Sequence, residues 1–373
     1  MISNSSKRKV SAVNNTPLNT VQLACVFMLS IGLMNHVIVV PLLLDAAGRD
    51  AWISAITALV ALPLWLPLLY FVMKQSNQMN LFLWLKTEFN RAIAYFVAIL
   101  GSLLLLVIGY ITLNDTVTFT TTAYLTRTPD WAILLILTVM CFYNAYHGIP
   151  SIAKTAVILL PFVFIFGILV AIATTPHKDY SLLKPIMENG FTPVFKGMIY
   201  AGAGYVEIFI ILFMQHHLQT RFSFKALFIV SVLAASLSIG PTIGAIIEYG
   251  PKEATNLRYP AFDQWRLIKL GTYIEYLDFL AVYQWMSGAF IRISLASALI
   301  PELFHVTDKK ARLWILAVIY ITLFLLSLIP ISDDKFLGLL YQLVLPLSLL
   351  FILSLSLFIG ILALISYLKK RRA

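Results

Sequence analysis

From Val21 to Leu368 the chain repeats one pattern: runs of about 20 apolar residues separated by short polar breaks. Such runs match the length of a helix that crosses the hydrocarbon core of a bilayer, and nothing else in the sequence constrains the fold as strongly. Only helices and closed barrels satisfy every backbone N–H and C=O in lipid. Barrel strands would show short segments of alternating polarity, and these runs are continuously apolar. Composition agrees, because 60% of the 373 residues are hydrophobic and 12% are charged, where a soluble domain carries about 25% charged residues. The expectation is an all-α polytopic membrane protein.

Ten spans are read. The first five are 21–44, 51–72, 92–125, 131–146 and 149–173, and the second five are 191–214, 226–247, 273–300, 313–329 and 336–368. They form one membrane domain, 20–368, between a polar basic tail, 1–19, and a basic C-terminus, 369–373. The tail has no apolar core of the signal-peptide kind. Net charge is +10, and it is clustered between spans, so it reports orientation rather than nucleic-acid binding. Sixteen of the 27 Lys and Arg residues fall in the termini and in loops on their side of the membrane, ten on the other side. Both termini are therefore expected in the cytosol. The stretches "MNLFLWLKTEF" (79–89) and "YPAFDQWRLIKLG" (259–271) are read as short helices lying at the interface.

Ten spans divide as five plus five, with the halves starting in opposite orientations: repeat one about 20–174, repeat two about 190–368. That arithmetic resembles the inverted repeat of amino-acid transporters with the leucine-transporter fold, whose first helix in each half is broken at midmembrane. Both corresponding helices here contain weak points. The first carries Ser30, Gly32 and Asn35, then His36 and Pro41. The sixth reads "YAGAGYVEIF" (200–209), with Gly202 and Gly204 followed by Glu207. An unwound hinge at Gly32 and at Gly202 and Gly204 would expose N–H and C=O groups suited to a zwitterionic ligand. The alternative is that these glycines let intact helices pack closely.

Other polar groups inside spans are candidates for the same site. Tyr110 and Asn114, and Tyr283 and Ser287, are each four apart and share a helix face. Asp115 either joins that site or emerges into water. Glu207 is read either as a proton- or cation-coupling group or as a hydrogen-bond partner of backbone freed by the break. Arg292 is read as snorkelling to the cytosolic face rather than pairing with Glu207. His216 and His217 are read as solvated. The sequence shows no metal-ligand spacing, nucleotide loop or catalytic triad, so neither a cofactor nor a metal nor an enzymatic activity is expected.

Three features carry a family likeness: "LNTVQLACVFMLSIGLMNHVIVVPLLLDAAGRDAWIS" (18–54), "YPAFDQWRLIKLGTYIEYLDFLAVYQWMSGAFIRISL" (259–295), and the layout of ten spans in 373 residues. Together they resemble the B subunits of Ger-type endospore germinant receptors, the spore germination permease family. The resemblance implies membership of the amino acid–polyamine–organocation superfamily and a sensor in the spore inner membrane. It also implies an A subunit and a lipoprotein C subunit as partners, and a small nutrient such as an amino acid as germinant. The implied pocket, carried to this chain, comprises Gly32, Tyr110, Asn114, Gly202, Gly204 and Ser287. The competing readings are a proton-coupled amino-acid transporter and an ion- or water-conducting receptor subunit.

Overall fold

A computed structural model describes residues 17–219, 222–268 and 277–372. Most of the expected tail (1–19), the expected start of the eighth span at Tyr273, and Ala373 lie outside these residues. Among the described residues the chain is all helix, with one isolated backbone pairing, Leu18 with Leu218.

The first part comprises α1 (Thr20–Leu33), α2 (Val39–Ala47), α3 (Ala51–Gln75), α4 (Leu81–Glu88), α5 (Arg91–Phe119), α6 (Asp130–His147) and α7 (Ile149–Ala173). The second comprises α8 (Phe191–Tyr205), α9 (Ile211–Met214), α10 (Phe224–Ser236), α11 (Ile239–Tyr249), α12 (Pro251–Ala254) and α13 (Pro260–Arg266). It continues with α14 (Phe279–Leu303), α15 (Lys309–Ser327), α16 (Asp333–Leu339) and α17 (Leu345–Arg372). Eight helical stretches among the described residues are long and apolar enough to cross a membrane. The stretch Thr20–Gln75 contains a reversal at Gly48, whose φ of 55° suits glycine. The two stretches expected at the interface do form helices, α4 and α13. The basic C-terminus simply prolongs α17.

The helix ends sort into two layers. At one end Leu18 meets His217, Ser76 meets Gln215, Asn80 meets Glu302 and Glu88 meets Lys370. Five helices start there on side-chain caps: Asn19, Asn80, Asn90, Ser223 and Asp308 each accept an N–H of the first turn. At the opposite end Arg49 pairs with Glu188, and Asp50 accepts the Met187 N–H. There too Arg258 joins Asp115 and Asp333.

Between these layers the stretches differ sharply in burial. In α8–α9 and α14, 83% of the most apolar window is inside the protein, against 6% in α7. An apolar helix gains nothing by leaving lipid for an equally apolar interior, so what draws helices to the centre is polar pairing and close packing. The central helices carry such groups: Asn35, Thr112, Glu207, Ser287 and Arg292 are all buried.

Candidate functional site

The backbone is helical through all the glycines expected to break it. Gly32 lies inside α1, and Gly202 and Gly204 lie inside α8. The expectation of unwound hinges there is corrected, and the reason is packing. A Cβ on Gly204 would stand 2.0 Å from Asn35 Oδ1 and 3.0 Å from Val39 Cγ2. One on Gly202 would sit 3.5 Å from Leu349. Glycine at 204 thus lets α8 press against the α1–α2 segment, as small residues do between membrane helices.

Both helices do leave α geometry, but just past the glycines. A π-helical turn, Met34–Ile38, separates α1 from α2. A tight 3-10 segment, Val206–Ile210, separates α8 from α9. Such irregularities inside helices recur at functional sites. At the start of the π-turn the Met34 N–H donates to Ile31 O rather than to Ser30 O, the partner a regular helix would give it. Ser30 O instead accepts from Arg292 Nη1 at 3.1 Å.

The π-turn faces a second irregularity, unforeseen in the seventh apolar run. That run is split between α10 and α11. Pro241 has no N–H to give the Leu237 carbonyl four residues back. The Ser238 N–H bonds Ala235 O, three residues back, so Ala234 O also lacks its usual helical donor. The π-turn supplies replacements: Asn35 Nδ2 donates to Ala234 O at 2.9 Å, and His36 Nδ1 lies 3.1 Å from Leu237 O. A carbonyl can only accept, so Nδ1 carries the proton, and a neutral His36 keeps its Nε2 lone pair. Tyr205, at the end of α8, braces the split, its hydroxyl 2.6 Å from Ser238 Oγ.

A cavity of about 330 Å³ opens between α1 with its π-turn, α7, the α10–α11 split, α13 and α14. Its wall includes Gly32, His36, Leu237, Gly240, Gln284 and Trp285. Of the residues expected at the site, Gly32 alone lines it. Tyr110 and Asn114 are partly buried on α5, Ser287 is buried on α14 beside the lining residue Gly288, and Gly202 and Gly204 pack as described. Gln284 is fixed by donating to Val163 O at 2.9 Å. The signal available for the missed wall was "SIGPTIG" (238–244), a Gly-Pro pair inside an apolar run.

Close by, Glu207 and Arg292 form a buried ion pair, so the expectation that Arg292 snorkels is corrected. Arg292 is 1% exposed and Glu207 5%. Arg292 Nη2 donates to Glu207 Oε1 at 2.7 Å and Nη1 to Oε2, while Nε donates to Thr112 Oγ1 at 2.9 Å. With the Ser30 carbonyl added, four of the five guanidinium N–H groups are used. Two-point pairing of this kind is how a buried charge pair offsets its desolvation. It also explains why Arg292 stays: snorkelling would abandon Glu207 in the interior. The pair ties α14, the 3-10 segment, α1 and α5 together at one point.

Two groups at the ends also differ from expectation. Asp115 does not emerge into water; it is buried and accepts from Arg258 Nη2 at 2.7 Å. Burial alone would favour neutral Arg258, but Asp115 and Asp333 outweigh it and hold the guanidinium firmly charged. His216 and His217, expected in solvent, are partly and fully buried and converge on Glu302.

Comparison with known proteins places this geometry. The chain matches the spore germination protein family over residues 16–336. It is 45% identical over 354 residues to spore germination protein XB of Bacillus anthracis, covering 95% of this chain and 99% of that one. It is 23% identical over 216 residues to spore germination protein YndE of Bacillus subtilis (strain 168), covering 56% of this chain and 58% of that one. Among solved structures it is similar to MhsT in complex with L-phenylalanine, with a TM-score of 0.63, 15% identity, and coverage of 94% and 97%. That likeness gives the fold, the one shared by leucine-transporter-type proteins. With a match spanning most of its length and a relative 45% identical end to end, the chain belongs to the spore germination permease family, as an integral membrane protein.

Proposed function

We propose that this chain is the membrane-embedded B-type subunit of a spore nutrient-germinant receptor, and that it binds an amino acid with an apolar side chain in the cavity beside the π-turn. It works with A-type and lipoprotein C-type subunits in the spore inner membrane. It crosses that membrane ten times as two oppositely oriented five-helix halves, both termini cytosolic. Ten follows from eight when Thr20–Gln75 is divided at Gly48 and Asp130–His147 is counted. That 18-residue helix reaches about 27 Å, close to the hydrocarbon thickness. The Lys and Arg asymmetry supports the orientation.

The observation that carries the ligand reading is the cavity itself. At about 330 Å³ it lies at the small end of ligand sites, a size for one amino acid rather than a peptide. Its wall is mostly apolar, with His36 and Gln284 as fixed polar groups. The His36 Nε2 lone pair suits an ammonium, and the start of α11 at Gly240 suits a carboxylate. Trp285, Leu237 and the α7 face take the side chain. Binding then favours one arrangement of the α1–α2 and α10–α11 segments over another, and partners read the change in population.

Saturable binding of radiolabelled leucine and phenylalanine to the purified chain tests this. Gly32→Leu puts its Cβ within 2.8 Å of Leu237 Cδ1 and fills the wall; it is expected to weaken binding about tenfold or more, some 1.4 kcal/mol. Gly202→Ala, remote from the cavity, is expected to leave binding unchanged. Equal binding by the wild type and Gly32→Leu would sink the cavity assignment. Uptake into vesicles holding this chain alone would instead favour transport, with Glu207 as the coupling group.

A further inference from the structure

We propose that His216, His217 and Glu302 form a site for a divalent transition metal of the zinc class. It would sit at the end of the molecule that carries Leu18, away from the nutrient cavity. The three residues come from two separate segments. His216 and His217 lie in a short 3-10 turn after α9, and Glu302 lies near the end of α14. No spacing rule finds such a set, because 86 residues separate His216 from Glu302.

Two of the three ligand-atom separations already match those that a tetrahedral metal imposes. His216 Nε2 lies 3.3 Å and His217 Nε2 3.5 Å from Glu302 Oε2, and one ligand atom from each of the three residues lies within 4.8 Å of the other two. Bonds of about 2.0–2.1 Å meeting at tetrahedral angles place ligand atoms about 3.3–3.5 Å apart. His217 is 6% exposed, and among the described residues its Nε2 makes no hydrogen bond, approaching Glu302 Oε2 only at 3.5 Å. A buried imidazole nitrogen left this way is costly unless something binds it. Two imidazoles and one carboxylate are a common zinc-class donor set, which leaves a fourth position open. Beside them lies a cavity of about 430 Å³ whose wall includes the imidazoles of His147 and His305, room for water or a further ligand.

Arg312 is the opposing feature. Its Nη1 donates to Glu302 Oε1 at 2.9 Å, so it orients the carboxylate and leaves Oε2 facing the histidines. Its charge also repels a cation. The site is therefore expected to be weaker than a dedicated structural zinc site, and to tighten when Arg312 is neutralised. A bound metal would clamp the ends of α9 and α14, whose adjoining segments meet again at Glu207 and Arg292.

The test uses the full chain, expressed without a polyhistidine tag, purified in detergent and stripped with chelator. Titration with Co²⁺ is followed by its visible ligand-field absorption, and Zn²⁺ is added in competition. One Co²⁺ per chain is expected, displaced by Zn²⁺. Glu302→Gln and His217→Ala should each weaken binding by about 100-fold or more, His305→Ala should do so by less, and Arg312→Met should strengthen it. If Glu302→Gln does not fold, His216→Asn keeps the Glu302–Arg312 pair and reads the same loss. Absence of the Co²⁺ spectrum in the wild type, or a spectrum that survives His216→Asn combined with His217→Ala, would overturn the proposal. An Arg312→Met variant that binds no more tightly would overturn the part assigned to Arg312 as the charge opposing the metal.

Discussion

The α1–α2 and α8–α9 segments have the same design problem and solve it in opposite ways. Each is a long apolar stretch with glycine near its middle, and each departs from α geometry just beyond that glycine. In the first the helix widens into a π-turn, Met34–Ile38; in the second it tightens into a 3-10 segment, Val206–Ile210. Widening turns Asn35 and His36 onto neighbouring backbone and leaves Gly32 and His36 on a cavity wall. Tightening carries Glu207 inward onto Arg292, where both side chains are buried. The lesson is that a glycine-marked irregularity in a membrane helix has two uses, to make room for a ligand or to seat a charge. Only neighbouring helices decide which.

The largest effect is expected where the sealed side is broken. Glu207→Gln or Arg292→Met alone leaves one buried group without its charge partner, which costs about 3–5 kcal/mol. Detergent-solubilised protein should show this as a large fall in Tm and in yield. The double variant should recover much of that loss, since a buried pair is often no better than apolar packing. If Glu207→Gln is as stable as the wild type, the pair is not what holds these helices, and the contrast between the two segments fails.

How far the sequence foretold this depends on the range of the signal. Apolar run length and charge clustering are local, and the stretches they mark are the helices found, down to the short α4 and α13. The pairing of Glu207 with Arg292 spans 85 residues. Pairing across such a distance depends on which helix faces which, and snorkelling is the reasonable default for a lone arginine. Gly204 was visible as unusual, but hinge and close contact leave the same mark in one sequence. Its collision partner, Asn35, belongs to another helix. The cavity wall at 237–241 was marked by Gly240 and Pro241, a breaker signal of known mechanism. The breaker itself is local, but the cavity it borders is closed by α1, α7, α13 and α14, whose packing against it no local pattern encodes.

A middle-sized effect distinguishes packing from hinge on the α8 side. Gly204→Ala forces a Cβ against Asn35 and Val39, an overpacking expected to cost about 1–3 kcal/mol. Gly202→Ala meets only Leu349 at ordinary contact distance. It should be neutral or slightly stabilising, because alanine is the better helix former by about 1 kcal/mol. A hinge would suffer at both positions. Similar melting losses for the two variants would therefore count against an intact helix here.

The smallest effect sharpens the open side, where His36 meets the carbonyl that Pro241 leaves without a helical partner. His36→Ala removes one hydrogen bond to Leu237 O, expected to cost about 0.5–1.5 kcal/mol. Pro241→Ala restores an N–H four residues along from Leu237, so the helix can satisfy that carbonyl without help. In the Pro241→Ala background the His36→Ala loss should shrink toward zero, and a double-mutant cycle in Tm or denaturant midpoint reads the difference. If the two losses simply add, His36 does not answer to the proline. Coupling would instead mean that this imidazole is held by a defect in a neighbouring helix. Any ligand that draws on its Nε2 then acts on the α10–α11 split as well, which gives the cavity a direct mechanical route to the rest of the bundle.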